Sequence, residues 1–337
     1  MHVLTLYAPQ RDRGAAGHSA FVDRVGEGLC EFVAVPTKPG LTSLIEIENV
    51  KCTTSMEAAL KHVYGDNFQH MTDDKRAIIT THNSSVEELN AIMLGKLRTP
   101  LRTMYSEDRL EEERDYKRGS FSHADFFNKL KTNPASTPPR DLQLKVGAMA
   151  MLMRIFSKKD KLINCTRIVV VAISTYSIIV RACCDNALHA LSRIMFKLQC
   201  KRSNTNVLRR QFPIRLAYAM TVHKCQGQTL DRVALDMRQQ PFSHGILYVA
   251  CGRVRNESSL LALVDSNTMT AGEGSEARAL VTNMARQELL PSAWRATAQR
   301  AVGQDAAEHE PQPRTQEEAN AAHDDGQCSS DDGLDVD

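Results

Sequence analysis

The strongest constraint on the fold is an apolar run that passes directly into a helical repeat, in AIITTHNSSVEELNAIMLGKL, residues 77–97. The β-branched run at its start predicts a buried strand. Apolar residues then recur at helical spacing, and Ser84 with Glu87 matches the Ser-x-x-Glu capping box. His82 and Asn83 therefore lie in a polar turn between a strand and a helix.

The same alternation returns closer to the C-terminus. The pattern predicts a helix at LAYAMTVHK (216–224), a strand at RVALD (232–236), a helix over 243–254 capped by Ser243, and a strand at LLALVD (260–265). Strands that alternate with helices are typical of an α/β fold with a parallel sheet. A further helical segment is predicted over 274–297.

The residues between these two regions have a different character. Prolines and a charge cluster in 98–142 predict a long surface excursion with one helix near 123–131. Residues 143–182 have the rhythm of short strands, which favours a small barrel or hairpin module. Residues 193–215 carry seven Lys and Arg residues and no acid, a run typical of a solvated face or a linker, with a binding groove as the alternative.

Charge is divided unevenly along the chain. The net charge is +2, but residues 303–337 contain eleven acids and one base, which leaves +12 on residues 1–302. The acidic tail lacks apolar periodicity and is predicted to be disordered. A basic body suits a nucleic-acid partner, although a merely soluble basic surface would have the same composition.

The cysteines and the N-terminus argue for an intracellular protein. Nine cysteines are scattered without a Cys-x-x-Cys pair, so we expect reduced thiols and no metal site. The first residues lack the features of a signal peptide, and no apolar run is long enough to span a membrane.

The segment VHKCQGQTLD (222–231) allows two interpretations. Its Gly-containing Gln-Gly-Gln-Thr turn beside Lys224 offers donors for phosphate and sugar oxygens. The alternative makes Cys225 a nucleophile with His223 as its base. Side chains two positions apart on a helix diverge, however, so we expect Cys225 to be a packing residue.

The stretch from Arg209 to Arg255 resembles the fifth and sixth motifs of Pif1-like helicases, the superfamily-one ATP-dependent DNA helicases, and is especially similar to their Helitron branch. LAYAMTVHKCQGQTLDRV resembles the fifth motif and SHGILYVACGRVR the sixth. Upstream, residues 77–94 resemble the opening of the second motor domain, and LQLKVGAMAMLMRI with LINCTRIVV resembles its inserted Src-homology-three-like barrel. LTLYAPQRD resembles the linker that leaves the first motor domain.

The resemblance implies the C-terminal half of such a helicase, with a RecA-like second motor domain, a small inserted β-barrel and a disordered acidic tail. The division it implies is a linker remnant (1–70), the start of the motor domain with its excursion (71–142), the barrel-like insert (143–210), the rest of the motor domain (211–298) and the tail (299–337).

The resemblance also assigns roles to individual residues. Arg253 corresponds to the catalytic arginine that reaches the γ-phosphate, a role suited to its planar and permanently charged fork. The residues implied to bind nucleotide are Gln226, Gly227, Thr229 and Arg253. The residues implied to bind DNA are His82, Asn83, Lys145, Arg167, His223 and Lys224.

Departures from the family pattern limit what this chain can do alone. The sequence contains no Gly-x-x-x-x-Gly-Lys-Ser/Thr loop and no Asp-Glu pair after an apolar strand, both features of the first motor domain. The linker's usual Asn-Met-Arg is Tyr7-Ala8-Pro9 here. ATP and Mg²⁺ are cofactors of the full-length family, and we expect this chain alone to bind neither and to hydrolyse no ATP.

Two functions remain open. The first is part of a helicase used in DNA repair or recombination, which supplies the arginine and the single-strand contacts. The second is a non-catalytic single-stranded nucleic-acid-binding protein derived from a helicase. Both predict a monomer that binds single-stranded DNA, binds ATP only when a first motor domain is supplied, avoids membranes, and resides in the nucleus or, as a second choice, the mitochondrion.

Overall fold

The computed structural model describes residues 16–27, 30, 44–47, 49–110, 136–200, 205–241, 245–268 and 279–282. The helices are α1 (Ala16–Glu27), α2 (Met56–Tyr64), α3 (Asn83–Lys96), α4 (Val222–Cys225) and α5 (Ile246–Cys251). The strands are β1 (Leu44–Glu46), β2 (Lys51–Thr53), β3 (Arg76–Thr80), β4 (Arg102–Tyr105), β5 (Glu107–Leu110), β6 (Asp141–Leu144), β7 (Met149–Leu152), β8 (Arg167–Ile173), β9 (Ile178–Ala182), β10 (Leu188–Leu191), β11 (Ile194–Cys200), β12 (Thr205–Gln211), β13 (Ile214–Leu216), β14 (Ala219–Thr221), β15 (Arg232–Asp236), β16 (Leu260–Leu263) and β17 (Leu280–Thr282). The predicted helix near 123–131 and the acidic tail lie outside the described residues.

Five parallel strands form one sheet in the order β14, β3, β15, β16, β2. The strands β3, β15 and β16 are buried almost throughout. Continuous burial is typical of a parallel sheet that is covered on both faces. Helix α2 packs against β15, β16 and β3, and α3 packs against β14 and β3. The predicted α/β class with a parallel sheet is therefore confirmed.

Among the described strands, β14 pairs with β3 alone and so forms an edge of the sheet. On its other side, the buried Asn90 side chain of α3 binds backbone groups that a second neighbouring strand would otherwise bind. Its Oδ1 accepts from the backbone N–H groups of Tyr218 and Ala219, both at 2.9 Å. Its Nδ2 donates to Ala219 O at 3.0 Å. A buried amide with all these bonds made holds the short strand in register.

Residues between α3 and β14, which we call the antiparallel insert, build antiparallel sheets of five, three and two strands. The five-stranded sheet runs β10, β9, β8, β7, β13, and β7 is buried on both of its faces. Met149, Met151 and Met153 join the core of the parallel sheet, whereas Ala150 and Leu152 join a second core. This alternation follows from the two-residue period of a strand. Closure of these strands into a barrel stays a prediction.

The basic run 193–215 is neither a linker nor a fully solvated face. It forms the hairpin β11–β12, which continues to β5. Arg209 is buried, and its Nε and Nη2 donate to Asp108 at 3.0 and 2.9 Å. A third bond runs from Arg209 Nη1 to Pro138 O at 3.2 Å. The paired carboxylate and carbonyl offset the cost of burying this guanidinium.

Arg167 joins the antiparallel insert to the parallel sheet, which corrects its predicted role in DNA binding. Its buried guanidinium donates to Asp74 O at 3.0 Å, to Arg76 O at 2.8 Å and to Ala217 O. A side chain that is buried and bonded to backbone in this way cannot contact DNA. Tyr218 adds a second link, because its hydroxyl oxygen accepts from Met149 N at 3.1 Å.

Several local predictions are confirmed and others are wrong. The strands predicted near 77, 232 and 260 are present as β3, β15 and β16. The helix predicted over 216–224 is wrong, since this segment holds the last residue of β13 and all of β14 before the single turn α4. The helix predicted over 274–297 is wrong at Leu280–Thr282, which pairs with β1, and its other residues lie outside the described part except Ala279.

Two predicted boundaries also shift. Helix α3 begins at Asn83 after His82, whose side chain makes no cap bond, so the Ser84–Glu87 capping box is absent. Helix α5 begins at Ile246 after Gly245, and Ser243 lies outside the described residues. Strand β2 and helix α2 fall within the predicted linker remnant 1–70, yet β2 is part of the parallel sheet. The domain division as a whole stays a prediction.

We expect Arg167→Met to lower the free energy of unfolding by about 3 kcal/mol, because it leaves buried carbonyl groups without donors. Arg181→Met is the matched control, since Arg181 is an exposed arginine on the adjacent strand β9. Urea unfolding of both variants measures the difference. Equal midpoints for the two variants would show that the Arg167 junction contributes nothing.

Candidate nucleic-acid interface

A groove of about 430 Å³ lies where the parallel sheet meets the antiparallel insert. It is lined by Thr81, Asn83, Ser136, Met153, Arg154, Asn164, Thr221, His223 and Lys224. Thr81 and Thr221 stand at the carboxyl ends of β3 and β14, the edge at which open α/β sheets bind their ligands. Of the predicted DNA-binding residues, the structure brings Asn83, His223 and Lys224 together in this groove.

His82 is held at the groove's edge by the turn after β3. Its Nδ1 lies 2.7 Å from the Thr81 hydroxyl, which also lies 3.1 Å from Gln239 O. A hydroxyl has one hydrogen, and the carbonyl can only accept it. His82 Nδ1 is therefore the donor to Thr81, which fixes the tautomer and the orientation of the ring.

His223 and Lys224 enter the groove from α4. His223 is exposed, whereas Lys224 is half-buried with its Nζ 3.8 Å from Met153 Sδ. Burial lowers the pKa of Lys224, the nearby Cys165 thiol opposes this, and the Arg215 guanidinium lowers the pKa further. An anion bound in the groove would restore the preference of Lys224 for its charged form.

The insert supplies groove residues that the sequence did not identify. Arg154 follows β7, and its guanidinium lies 5.2 Å from the centre of the Phe196 ring. Stacking on an aromatic face holds a guanidinium in place while leaving its edge able to bind phosphate. The described lining contains no acidic side chain, so Arg154 and Lys224 give the groove a positive character.

Lys145 is not among the groove residues. Its Nζ donates to Leu97 O at 2.6 Å, so the ammonium group ties the start of the insert to the end of α3. The groove lining likewise omits Arg167, which is buried at the junction. Both residues position the insert, and neither contributes to the groove directly.

The predicted nucleotide-facing turn has the geometry of a type II β-turn. Gln226 has φ −57° and ψ 132°, Gly227 has φ +84°, and Gln228 N donates to Cys225 O at 3.0 Å. The third position of such a turn needs positive φ, which glycine adopts without strain. Gln226 and Gly227 are exposed at the tip, and Thr229 is half-buried behind them.

Arg253 lies directly against this turn. Its Nη1 donates to Gln228 O at 3.3 Å and its Nε donates to Val249 O at 2.7 Å. The residue is only 7% exposed, so these bonds hold the guanidinium in a largely buried position beside the turn. Arg253 O also accepts from Leu230 N at 2.8 Å, which secures the segment after the turn.

Cys225 has none of the features of a catalytic thiolate. It is fully buried, and its Sγ donates to Val222 O at 3.0 Å. Burial raises the pKa of Cys225 to about 12, against a smaller opposing effect of Arg253. No hydrogen bond joins the exposed His223 to Cys225 in the described part of the chain, so the structure favours the packing role that the sequence predicted.

The described residues lack two further classes of feature. They contain no group of three His, Cys, Asp or Glu side chains arranged to hold a metal ion. None of their helices has the length and apolar character needed to cross a membrane.

Comparisons with known proteins show similarity to Pif1 helicases. Residues 125–173 match the family model for the 2B domain of DNA helicase Pif1. The ATP-dependent DNA helicase Pif1 of Bdellovibrio bacteriovorus is 34% identical over 142 residues, which are 42% of this chain and 30% of that protein. This chain is a relative of the Pif1-like helicases. It resembles their C-terminal half, as the motifs predicted.

Other Pif1 proteins agree with this relationship. Human ATP-dependent DNA helicase PIF1 is 34% identical over 151 residues, covering 41% of this chain and 23% of the human protein. The matched regions thus span less than a third of either relative. The crystal structure of Pif1 helicase from Candida albicans shares the fold, with a TM-score of 0.50 at 19% identity over 78% of this chain and 57% of that one.

We expect Cys225 to react slowly with iodoacetamide at pH 8, because its thiol is buried and almost wholly protonated. The exposed Cys184 is the internal control and should be alkylated first. Peptide mapping by mass spectrometry over a time course measures both rates. Alkylation of Cys225 in the folded chain as fast as Cys184 would restore the nucleophile hypothesis.

Proposed function

We propose that this chain forms the second motor domain of an ATP-dependent DNA helicase and that its groove holds a single DNA strand. The observation that carries the proposal is the convergence of Asn83, His223 and Lys224 with Arg154 in one groove without a described acidic residue. These residues come from two strand ends and from the insert, so only the assembled fold creates the site.

The groove has the chemistry that a sugar–phosphate backbone requires. Lys224 and Arg154 provide positive charge, while Asn83 and Asn164 provide neutral hydrogen-bonding groups. Contacts of this kind fix the path of a strand without reading its bases. Binding should therefore depend strongly on salt and little on sequence.

The groove and the Gln226–Gln228 turn are joined by a short series of hydrogen bonds. Lys224 O accepts from Gln228 Nε2 at 3.2 Å, and Gln228 O accepts from Arg253 Nη1 at 3.3 Å. A movement of Arg253 towards a nucleotide would therefore disturb Gln228, and through the Gln228 side chain the backbone of Lys224. This path supports coupling between the state of a nucleotide and the grip on a strand.

We infer that Arg253 reaches the γ-phosphate of ATP when the nucleotide lies between this domain and a first motor domain. An arginine of this kind stabilises the negative charge that develops on the transferred phosphoryl group. The turn's exposed Gln226 and Gly227, with Thr229 behind them, would contact the same nucleotide. The phosphate-binding loop and the Mg²⁺ ligands would come from the first motor domain, so the chain alone should not turn over ATP.

The alternative is a nucleic-acid-binding protein without catalysis. The burial of the Arg253 guanidinium, which is bonded to two backbone carbonyls, favours this reading because the arginine already has a structural use. Both functions share the groove, and they differ only in whether Arg253 acts on ATP. In either case we expect a compartment that contains DNA, the nucleus before the mitochondrion.

We expect Lys224→Met to weaken binding of a fluorescent thymidine oligonucleotide and to reduce the slope of log affinity against log salt by about 1. Lys51→Met is the matched control, since it removes the same charge from β2 at the opposite edge of the sheet. Fluorescence anisotropy at several salt concentrations measures both. Equal losses in the two variants would mean that the groove is not the binding site.

The role of Arg253 is tested by phosphate release with single-stranded DNA present. The chain alone should show no turnover, and fusion behind a first motor domain that carries the Gly-Lys-Thr loop should restore it. In the fusion, Arg253→Lys should lower turnover by about 10³-fold, because lysine lacks the planar fork. The exposed Arg255→Lys serves as the control.

Either of two outcomes would contradict the proposed role of Arg253. One is turnover in the Arg253→Lys fusion that matches the Arg255→Lys fusion, with both variants equally stable to heat. The other is DNA-dependent ATP hydrolysis by the chain alone. Unchanged DNA binding with no turnover in any fusion would favour the non-catalytic alternative.

A further inference from the structure

The loop between β7 and β8, residues 154–164, exposes three large apolar side chains beside the groove. Ile155 is 57% exposed, Phe156 is 41% exposed and Ile163 is 47% exposed. Single exposed apolar residues are common on protein surfaces. Three of them within one short loop form a local concentration of exposed apolar side chains, a feature that can mark a binding surface. We call residues 154–164 the apolar loop.

The apolar loop is held in shape by its own bonds. Phe156 N and Ser157 N donate to Leu162 O at 2.8 and 3.2 Å, and Leu162 N donates to Ser157 O at 2.8 Å. Leu162 is buried in the second core and anchors the loop. The loop is therefore a preformed surface, so little conformational entropy is lost when a partner binds.

The charges of the loop indicate the chemistry of that partner. Lys158, Lys159 and Lys161 are exposed around the apolar side chains. The loop's only acid, Asp160, accepts from the Ser157 hydroxyl at 2.6 Å. A partner with both a negatively charged backbone and flat apolar groups matches this combination. Unpaired nucleic acid has both features, because its bases carry π-faces beside the phosphates.

The loop is continuous with the groove. Arg154 and Asn164, at its two ends, line the groove, as does Met153 immediately before it. A strand that lies in the groove with its phosphates near Arg154 and Lys224 would bring its neighbouring bases over the apolar loop. The groove alone supplies backbone contacts, so contact with bases has to come from a surface of this kind.

We propose that the apolar loop binds unpaired bases of the strand held in the groove, with Phe156 stacking on a base and Ile155 and Ile163 packing around it. This inference rests on the proposed function of the groove and extends it from phosphates to bases. It predicts that part of the affinity for single-stranded DNA depends on the presence of bases, whatever their sequence.

The test compares a thymidine oligonucleotide with one of equal length that carries abasic sugars at every position. The natural chain should bind the thymidine oligonucleotide more tightly, since only that probe can stack. Phe156→Ala should weaken its binding by roughly 5-fold or more and leave the abasic probe unaffected. The combined variant Ile155→Ala with Ile163→Ala should change both affinities in the same directions.

Two controls separate this inference from the function of the groove. Tyr176→Ala removes an aromatic side chain that is 83% exposed in the turn between β8 and β9 and is not in the groove lining, and should change neither affinity. Lys224→Met should weaken binding of both probes. Thermal unfolding and size-exclusion chromatography of each variant establish that fold and oligomeric state are unchanged.

Every other outcome counts against the inference. If Phe156→Ala binds both probes like the natural chain while Lys224→Met binds both weakly, the apolar loop is not a base contact and the groove survives. If Phe156→Ala weakens both probes equally, the loop acts on phosphates or on the fold. A variant that changes only the oligomeric state would assign the loop to a protein contact. Failure of the natural chain to bind either probe would overturn the groove and the loop together.

Discussion

The attachment of the antiparallel insert to the parallel sheet is the interaction on which the rest of the structure depends. Arg167 places one buried guanidinium on carbonyl oxygens from the start of β3 and from the segment before β14. Strand β7 adds apolar contact on both of its faces, since its methionines pack on one core and its smaller residues on the other. Because the groove has one wall from each part, its width is set by this junction.

The basic residues have two roles, and their positions relative to the junction separate the structural ones from those that line the groove. Arg167, Arg209 and Lys145 direct their charge to carbonyl or carboxylate oxygens inside the protein. Arg154 and Lys224 instead line the groove, where water or an anion can reach them. The lysine and arginine residues of this chain therefore serve two purposes, since some hold the fold together and others line the groove. Burial and hydrogen-bond partners separate them, whereas the amino-acid composition does not.

The parts of the fold that the sequence predicted are those governed by local pattern. Strands such as RVALD have a continuous apolar centre because they are covered on both faces, and this signal is present without tertiary information. The apolar residues of LAYAMTVHK fit a helical period as well as a buried strand, so the pattern predicts a helix where the structure has β14. The segment is a strand because β14 pairs with β3 and because Asn90 anchors its backbone. Both are tertiary interactions, which a local pattern does not contain.

The candidate site was predicted in part for the same reason. Asn83, His223 and Lys224 lie in or beside recognisable motifs, and the structure brings them together. Arg154 could not be found from its neighbours, because its position depends on the ring of Phe196 from a distant hairpin. Arg167 could not be excluded from sequence either, since an arginine on an apolar strand gives no sign of whether it faces solvent or a buried junction.

The place of the insert in the chain has a consequence for how the molecule folds. Strands β3 and β14 are neighbours in the sheet, yet all of residues 81–218 lie between them. Pairing across so long a loop is entropically costly unless the intervening residues are already compact. During synthesis, then, β3 has no partner in the sheet until the insert has condensed, because β14 and β15, the two strands that pair with it, both follow the insert in the chain.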